Sequence, residues 1–191
     1  MKTPTLENNR VKLSPLSLEN YTQLIDIAKQ ENLVQYSPSK IDTEEDLKTY
    51  VKTALKRAEE NKALPFIIYD KEKQAYAGCT RFGHINAHNK VLFIGWTWIG
   101  REFQSTGLNM NMKFLMLQYA FETLKFDKVG FTIDERNIRS RKAVEKIGCT
   151  LEGILRNDIL MLDGFKRSTC CYGILKEEWD GIKNGVFKDF F

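Results

Sequence analysis

Between Leu64 and Gly100 the chain offers three apolar runs, Leu64–Asp70, Ala75–Ile85 and Val91–Gly100, with very little chain to join them. The polar stretches Lys71–Gln74 and Asn86–Lys90 are far too short for a crossover between parallel strands, which takes a dozen residues or more. Strands joined so tightly run antiparallel, so the middle of the chain is expected to be a β-meander. Every other element has to pack against it.

The flanking elements follow from periodicity. Val11–Leu13 reads as a short opening strand that ends near Pro15. Ser17 can cap a helix whose Tyr21, Leu24, Ile25 and Ala28 fall at i, i+3, i+4 and i+7. After Ser37–Ser39, Asp42 and Glu45 have the spacing of a capping box, ahead of a stripe at Leu47, Tyr50, Val51, Ala54, Leu55 and Ala58. Met112, Leu115, Met116, Tyr119 and Ala120 mark a third helix, and Lys128–Ile133 a strand. Ser140, Ala143, Val144 and Ile147 stripe a fourth helix, stopped by Gly148. Two long strands, Leu151–Leu162 and Phe165–Leu175, flank Asp163-Gly164, a strong hairpin signal. Glu177–Asn184 adds a short helix before the aromatic tail Val186–Phe191. No repeat or linker interrupts this order, so residues 1–191 are expected to form one α/β (α+β) domain.

Composition narrows the function classes. With 191 residues, 42% of them apolar and including 12 Phe, 7 Tyr and 3 Trp, the chain can bury a core, which excludes a disordered polymer. No apolar run approaches the ~18 residues of a membrane span. Met1–Arg10 lacks the hydrophobic stretch of a signal peptide, so a cytoplasmic protein with no membrane partner is expected. The 29 basic and 25 acidic residues interleave, as in Lys48–Lys62, so nucleic acid is not expected as the main ligand. A local basic patch for a phosphorylated small molecule stays open. Cys79, Cys149, Cys170 and Cys171 form no C-x-x-C pair and read as reduced, buried side chains. His84 and His88 read as exposed residues of a turn, and no metal site is expected.

Chemistry concentrates between Gly95 and Gly148. The loop Gln104-Ser105-Thr106-Gly107-Leu108-Asn109 delivers the chain straight into the third helix, where successive backbone N–H groups can cradle an anion. It matches neither G-x-x-x-x-G-K-[ST] nor G-x-G-x-x-G. By itself it also reads as a structural turn.

In its wider setting, Gln104-x-x-Gly107-x-Asn109 resembles the pyrophosphate loop of the GNAT acyltransferases. Asn137-x-x-Ser140, with Lys146 and Gly148 behind it, looks like a second segment of that family. Leu151-Glu152-Gly153, Arg156 and Glu178-Trp179 are similar to its ribosomal-protein N-acetyltransferase (RimJ/RimL-like) branch. The likeness implies a mixed, mostly antiparallel sheet, flanked by about four helices, whose fourth and fifth strands splay around acetyl-CoA. It implies backbone contacts to the pantetheine arm from Trp98 and Ile99, pyrophosphate binding by Gln104, Ser105, Thr106, Gly107, Leu108 and Asn109, and Asn137 and Ser140 beside the thioester. Three positions depart from the pattern. Asn109 stands in place of Gly or Ala, Cys149 in place of Phe, and Val144 where many members carry a proton-donating tyrosine. Asn137 as a plain helix cap and Ser140 as an inert surface residue are the alternatives.

The activity implied is direct acetyl transfer to a primary amine, with no metal and no covalent enzyme intermediate. Ser140, or a water it holds, is the candidate proton donor. An α-amine has a pKa of ~7.7–8.0 against ~10.4 for lysine, which favours a chain N-terminus as acceptor where no strong base is evident. Strand alternation would place the candidate bases Glu152 and Asp158 on one face. A small amine (polyamine, antibiotic, amino acid) and a non-enzymatic acyl-CoA-binding module are the rivals. The tail, rich in Phe187, Phe190 and Phe191, suggests either a homodimer or a segment folded back on its own sheet.

Overall fold

The computed structural model describes residues 1–190. Along the chain run β1 (Leu6–Glu7), β2 (Val11–Pro15), α1 (Ile25–Ala28), α2 (Glu44–Glu59), β3 (Leu64–Asp70), β4 (Ala75–Asn86) and β5 (Val91–Ile99). They are followed by α3 (Leu108–Gln118), β6 (Lys128–Asp134), α4 (Ile138–Lys146), β7 (Thr150–Leu160), β8 (Lys166–Leu175) and α5 (Lys176–Gly185). The strands form one eight-stranded sheet in the order β1-β2-β3-β4-β5-β6-β8-β7. The expected meander is its centre, with β3, β4 and β5 antiparallel throughout. Among the described residues only β5 and β6 pair in parallel, across the crossover that carries α3.

That parallel pair is short. It joins Val91 to Lys128, Leu92 to Val129 and Phe93 to Gly130, and then the strands part, although β5 runs on to Ile99 and β6 to Asp134. Trp96 supplies a local cause. Its φ of +50° lies in the left-handed region, and the β4–β5 register slips between Cys79 and Arg81. A bulge of this kind bends a strand and increases its twist, turning the far half of β5 away from β6.

Several local readings shift. The first helix is only a 3-10 turn, Tyr21–Leu24, running into the single turn of α1. Ser17 does not cap it: its hydroxyl accepts from Glu19 N at 3.2 Å, while the Asn20 amide ties back to Ser17 N and Pro15 O. The cap of α2 is Thr43 rather than Asp42, accepting from Asp46 N at 3.1 Å. Gly148 ends α4 as expected, with φ +93°. Asp163-Gly164 turns the last hairpin, with φ +83° at Gly164. His84 belongs to β4 rather than a turn; its exposed ring rests on Trp96 and Phe93 at 5.1 and 5.7 Å. All four cysteines are free, and Cys79, Cys149 and Cys170 are buried.

The core lies between sheet and helices, around fully buried Phe66, Phe82 and Tyr172. The tail belongs to it. Phe187 is completely buried, 5.4 Å from the Phe114 ring and 6.1 Å from Trp179, and Phe190 packs 5.4 Å from Phe187. Of the side chains that suggested a dimer, Phe187 is covered by its own chain and Phe190 is partly so, while Phe191 lies outside the described residues. No helix among the described residues is long and apolar enough to cross a membrane.

Candidate active site

The site is built where β5 leaves β6, and α3 opens at its mouth. Gly107 stands before α3 with φ +86°, and Ser105 has φ +62°. Two left-handed residues within three positions curl the backbone into a tight turn at the start of the helix, where backbone N–H groups and the helix dipole favour an anion. Ser105, Thr106 and Gly107 are exposed, whereas Leu108 is fully buried and anchors the turn. Asn109, half-buried, sits in the first turn of α3. Basic groups flank the loop: Arg10 Nη2 lies 3.3 Å from Thr106 Oγ1, and Arg139 of α4 donates to Gln104 Oε1.

Gln104 ties the two walls together. Besides receiving Arg139, its Nε2 donates to Ile99 O at 2.8 Å, so one of the Ile99 backbone groups expected to face a ligand already has a partner. On the opposite wall Asn137 is the cap of α4, its Oδ1 accepting from Ser140 N at 3.1 Å. The plain capping role is thus real, and it leaves the Asn137 amide nitrogen and the half-buried Ser140 hydroxyl for other work. Val144, one turn on, is 5% exposed and packs in the core. The strand alternation that would place the two candidate bases on one face is not regular, although Asp158 and Glu152 both lie near enough to Cys171 to add to the rise that burial causes in its pKa. Register slips at Leu151/Gly153 and Leu155/Ile159, with φ +52° at Asn157, break the alternation of β7. Glu152 is held by Lys128 Nζ at 2.6 Å, at the start of β6 and away from Asn137.

Two buried cations escape a reading of the sequence. Lys113 of α3 is 6% exposed, its Nζ 3.3 Å from Thr97 Oγ1 and 5.4 Å from the Phe131 ring centroid. Thr97 and Phe131 lie just past the last β5–β6 pair, so this amine fills the point where the strands part. Burial pulls its pKa down to about 7. Arg81 of β4, also 6% exposed, lies with its guanidinium carbon 4.8 Å from the Tyr50 ring centroid and 4.7 Å from that of Trp96. The signal for Lys113 was its place directly before the unbroken apolar run Phe114–Leu117. Arg81 had no such signal. The thiols are not poised for attack, because burial pushes Cys79 and Cys149 up to about 12.

Comparison with known proteins agrees with this geometry. The acetyltransferase (GNAT) domain family matches residues 10–150. A Bacillus subtilis (strain 168) protein named Putative ribosomal N-acetyltransferase YdaF is 31% identical over 117 residues, 61% of this chain and 61% of that protein's length. A GCN5-related N-acetyltransferase from Brucella melitensis superposes with a TM-score of 0.90 at 22% identity, over 100% of this chain and 87% of that one. The microcin C7 self-immunity acetyltransferase MccE, solved with acetyl-CoA and AMP, superposes with a TM-score of 0.77 at 23% identity, over 88% of this chain and 93% of that one. Parted parallel strands, a left-handed loop opening α3 and a family match over most of its length together make this chain a member of the GNAT acetyltransferase family.

Proposed function

We propose that this chain transfers the acetyl group of acetyl-CoA to a primary amine, a chain N-terminal α-amine being the first choice. One observation carries the reading: β5 and β6 separate after Phe93 and Gly130, and the turn with left-handed Ser105 and Gly107 stands at the opening. The residues present suit the coenzyme. A Cβ built on Gly107 would meet nothing within 4 Å, so the loop is open to an approaching phosphate. Acetyl-CoA, when bound, supplies the acyl group as an activated thioester. MccE, solved with acetyl-CoA, supports the same ligand here.

The chain's own part is positioning, which can contribute ~7–11 kcal/mol to lowering a barrier. Gln104, Ser105, Thr106, Gly107, Leu108 and Asn109 hold the pyrophosphate through backbone N–H groups and the helix dipole. The edge of β5 at Trp98 and Ile99, with the Ile99 carbonyl already taken by Gln104, aligns the pantetheine arm in the manner of an added strand. Asn137 Nδ2 and Ser140 Oγ face it from α4, and the Ser140 hydroxyl delivers a proton to the departing sulfur. An α-amine is easier to deprotonate than lysine near neutral pH, and Glu152 is already tied to Lys128, which supports the N-terminal acceptor. The likeness to YdaF points the same way.

Thiol release from acetyl-CoA, measured over a panel of amines with short peptides bearing free N-termini, tests this function. Turnover with peptides and not with their N-blocked forms is expected. Coenzyme binding without release from any amine would leave only a binding module.

A further inference from the structure

On the α2 side of the β5 bulge lies a cleft of about 300 Å³, lined among others by Lys40, Asp46, Tyr50, Thr53, Arg81 and Trp96. That is the small end of the range for small-molecule sites. It adjoins the parted strands: Tyr50 OH donates to Trp96 O at 3.2 Å, and Trp98, an expected pantetheine contact, is two residues further along β5.

Arg81 is the unexplained part of this cleft. It is over nine-tenths buried and pressed between two aromatic rings, and none of the ion pairs among the described residues includes it. The nearby carboxylate of Asp46 is matched instead by Lys40 at 3.3 Å and by the Thr43 hydroxyl at 2.6 Å. A buried cation is costly unless paired. Lys113 can escape that cost by losing its proton, but arginine cannot. The two rings and the neighbouring Tyr50 hydroxyl hold the Arg81 guanidinium without neutralising it, leaving donors of its planar fork for an anion.

We propose that Arg81 binds a carboxylate of the acceptor, so that the amine acetylated here belongs to a molecule carrying an acid group within about one residue's length. This rests on the acetyl-transfer reading above and narrows its substrate. The acid has two sources, the α-carboxylate of a free amino acid or an acidic side chain at the start of a peptide.

Two readouts test it. The first is thiol release with free amino acids, with their carboxamides, and with C-terminally amidated peptides beginning with Asp or Gln. Free acids more than 10²-fold better than their carboxamides in kcat/KM identify the amino-acid source. Asp peptides preferred to Gln peptides by the same margin identify the peptide source. Arg81→Met should erase the preference mainly through KM, and Arg81→Lys should keep part of it. The second readout needs no turnover: succinate should quench tryptophan fluorescence saturably in the wild type and not in Arg81→Met. Both variants should keep the rise in melting temperature on adding acetyl-CoA, because Arg81 lies outside the coenzyme loop. Absence of that rise in the wild type would defeat the acetyl-transfer reading. With the rise intact, equal use of acids and amides, or succinate quenching unchanged in Arg81→Met, would overturn the role of Arg81.

Discussion

Replacing Lys113 with methionine should stabilise this protein, and by an amount that depends on pH. The lysine amine is buried against Thr97 and Phe131, and none of the ion pairs among the described residues reaches it. Its pKa falls from an ordinary 10.5 to about 7 through burial. Between those values the unfolded chain holds a proton that the native chain has released, so wild-type stability climbs with pH. Below pH 7 both states are protonated and the native state bears the entire cost of the buried ammonium. At 1.36 kcal/mol per pKa unit, the whole window amounts to about 5 kcal/mol. Methionine has similar length and no charge to desolvate. Lys113→Met should therefore exceed the wild type by about 3–5 kcal/mol at pH 6, and the gap should narrow by about 3 kcal/mol by pH 9. Urea unfolding followed by circular dichroism at pH 6, 7, 8 and 9 measures both proteins, and their difference cancels the other titrating groups. A gap that stays constant with pH, or a methionine variant weaker at pH 6, would refute the reasoning and show that Lys113 is held as a cation by a partner.

Three further outcomes are expected. Ser105→Asp puts a negative charge in the loop at a left-handed position that Asp tolerates, so it should abolish the melting-temperature rise with acetyl-CoA and leave apo stability within about 0.5 kcal/mol; a retained rise removes the loop from the site. Valine at Gly107 is a poorer test, because φ +86° strains any branched side chain before a ligand is considered. Ser140→Ala should lower the rate by ~10²-fold, the low end for general acid catalysis, with acetyl-CoA affinity unchanged; a loss under threefold in steady-state assays assigns the proton to water or to the substrate. Phe187→Ala opens a cavity among Phe114, Trp179 and Phe190 and should cost about 3–5 kcal/mol in denaturant titrations, and a cost below 1 kcal/mol would place the tail off the core.

Short-range chemistry was legible from the chain alone. The tight turns after Asp70 and Asn86 compel the meander, Gly107 punctuates the entry to α3, and Asp163-Gly164 sets the last hairpin. In each case the residues that decide the conformation are neighbours in sequence. Ser17 and Asp42 show where local reading stops, since several side chains can serve one turn and competing hydrogen bonds choose among them.

The separation of β5 from β6, the burial of Lys113 and Arg81, and the exposure of nearly all of β7 were settled only by tertiary structure. A lysine or an arginine in a sequence reads as surface, because nothing beside it reveals which distant strand or ring will cover it. Arg81 meets Tyr50 from α2 and Trp96 from β5, and Lys113 meets Thr97 and Phe131 from strands on either side of the parting. Desolvation depends on everything that surrounds a group, and that surrounding is assembled from residues far apart along the chain.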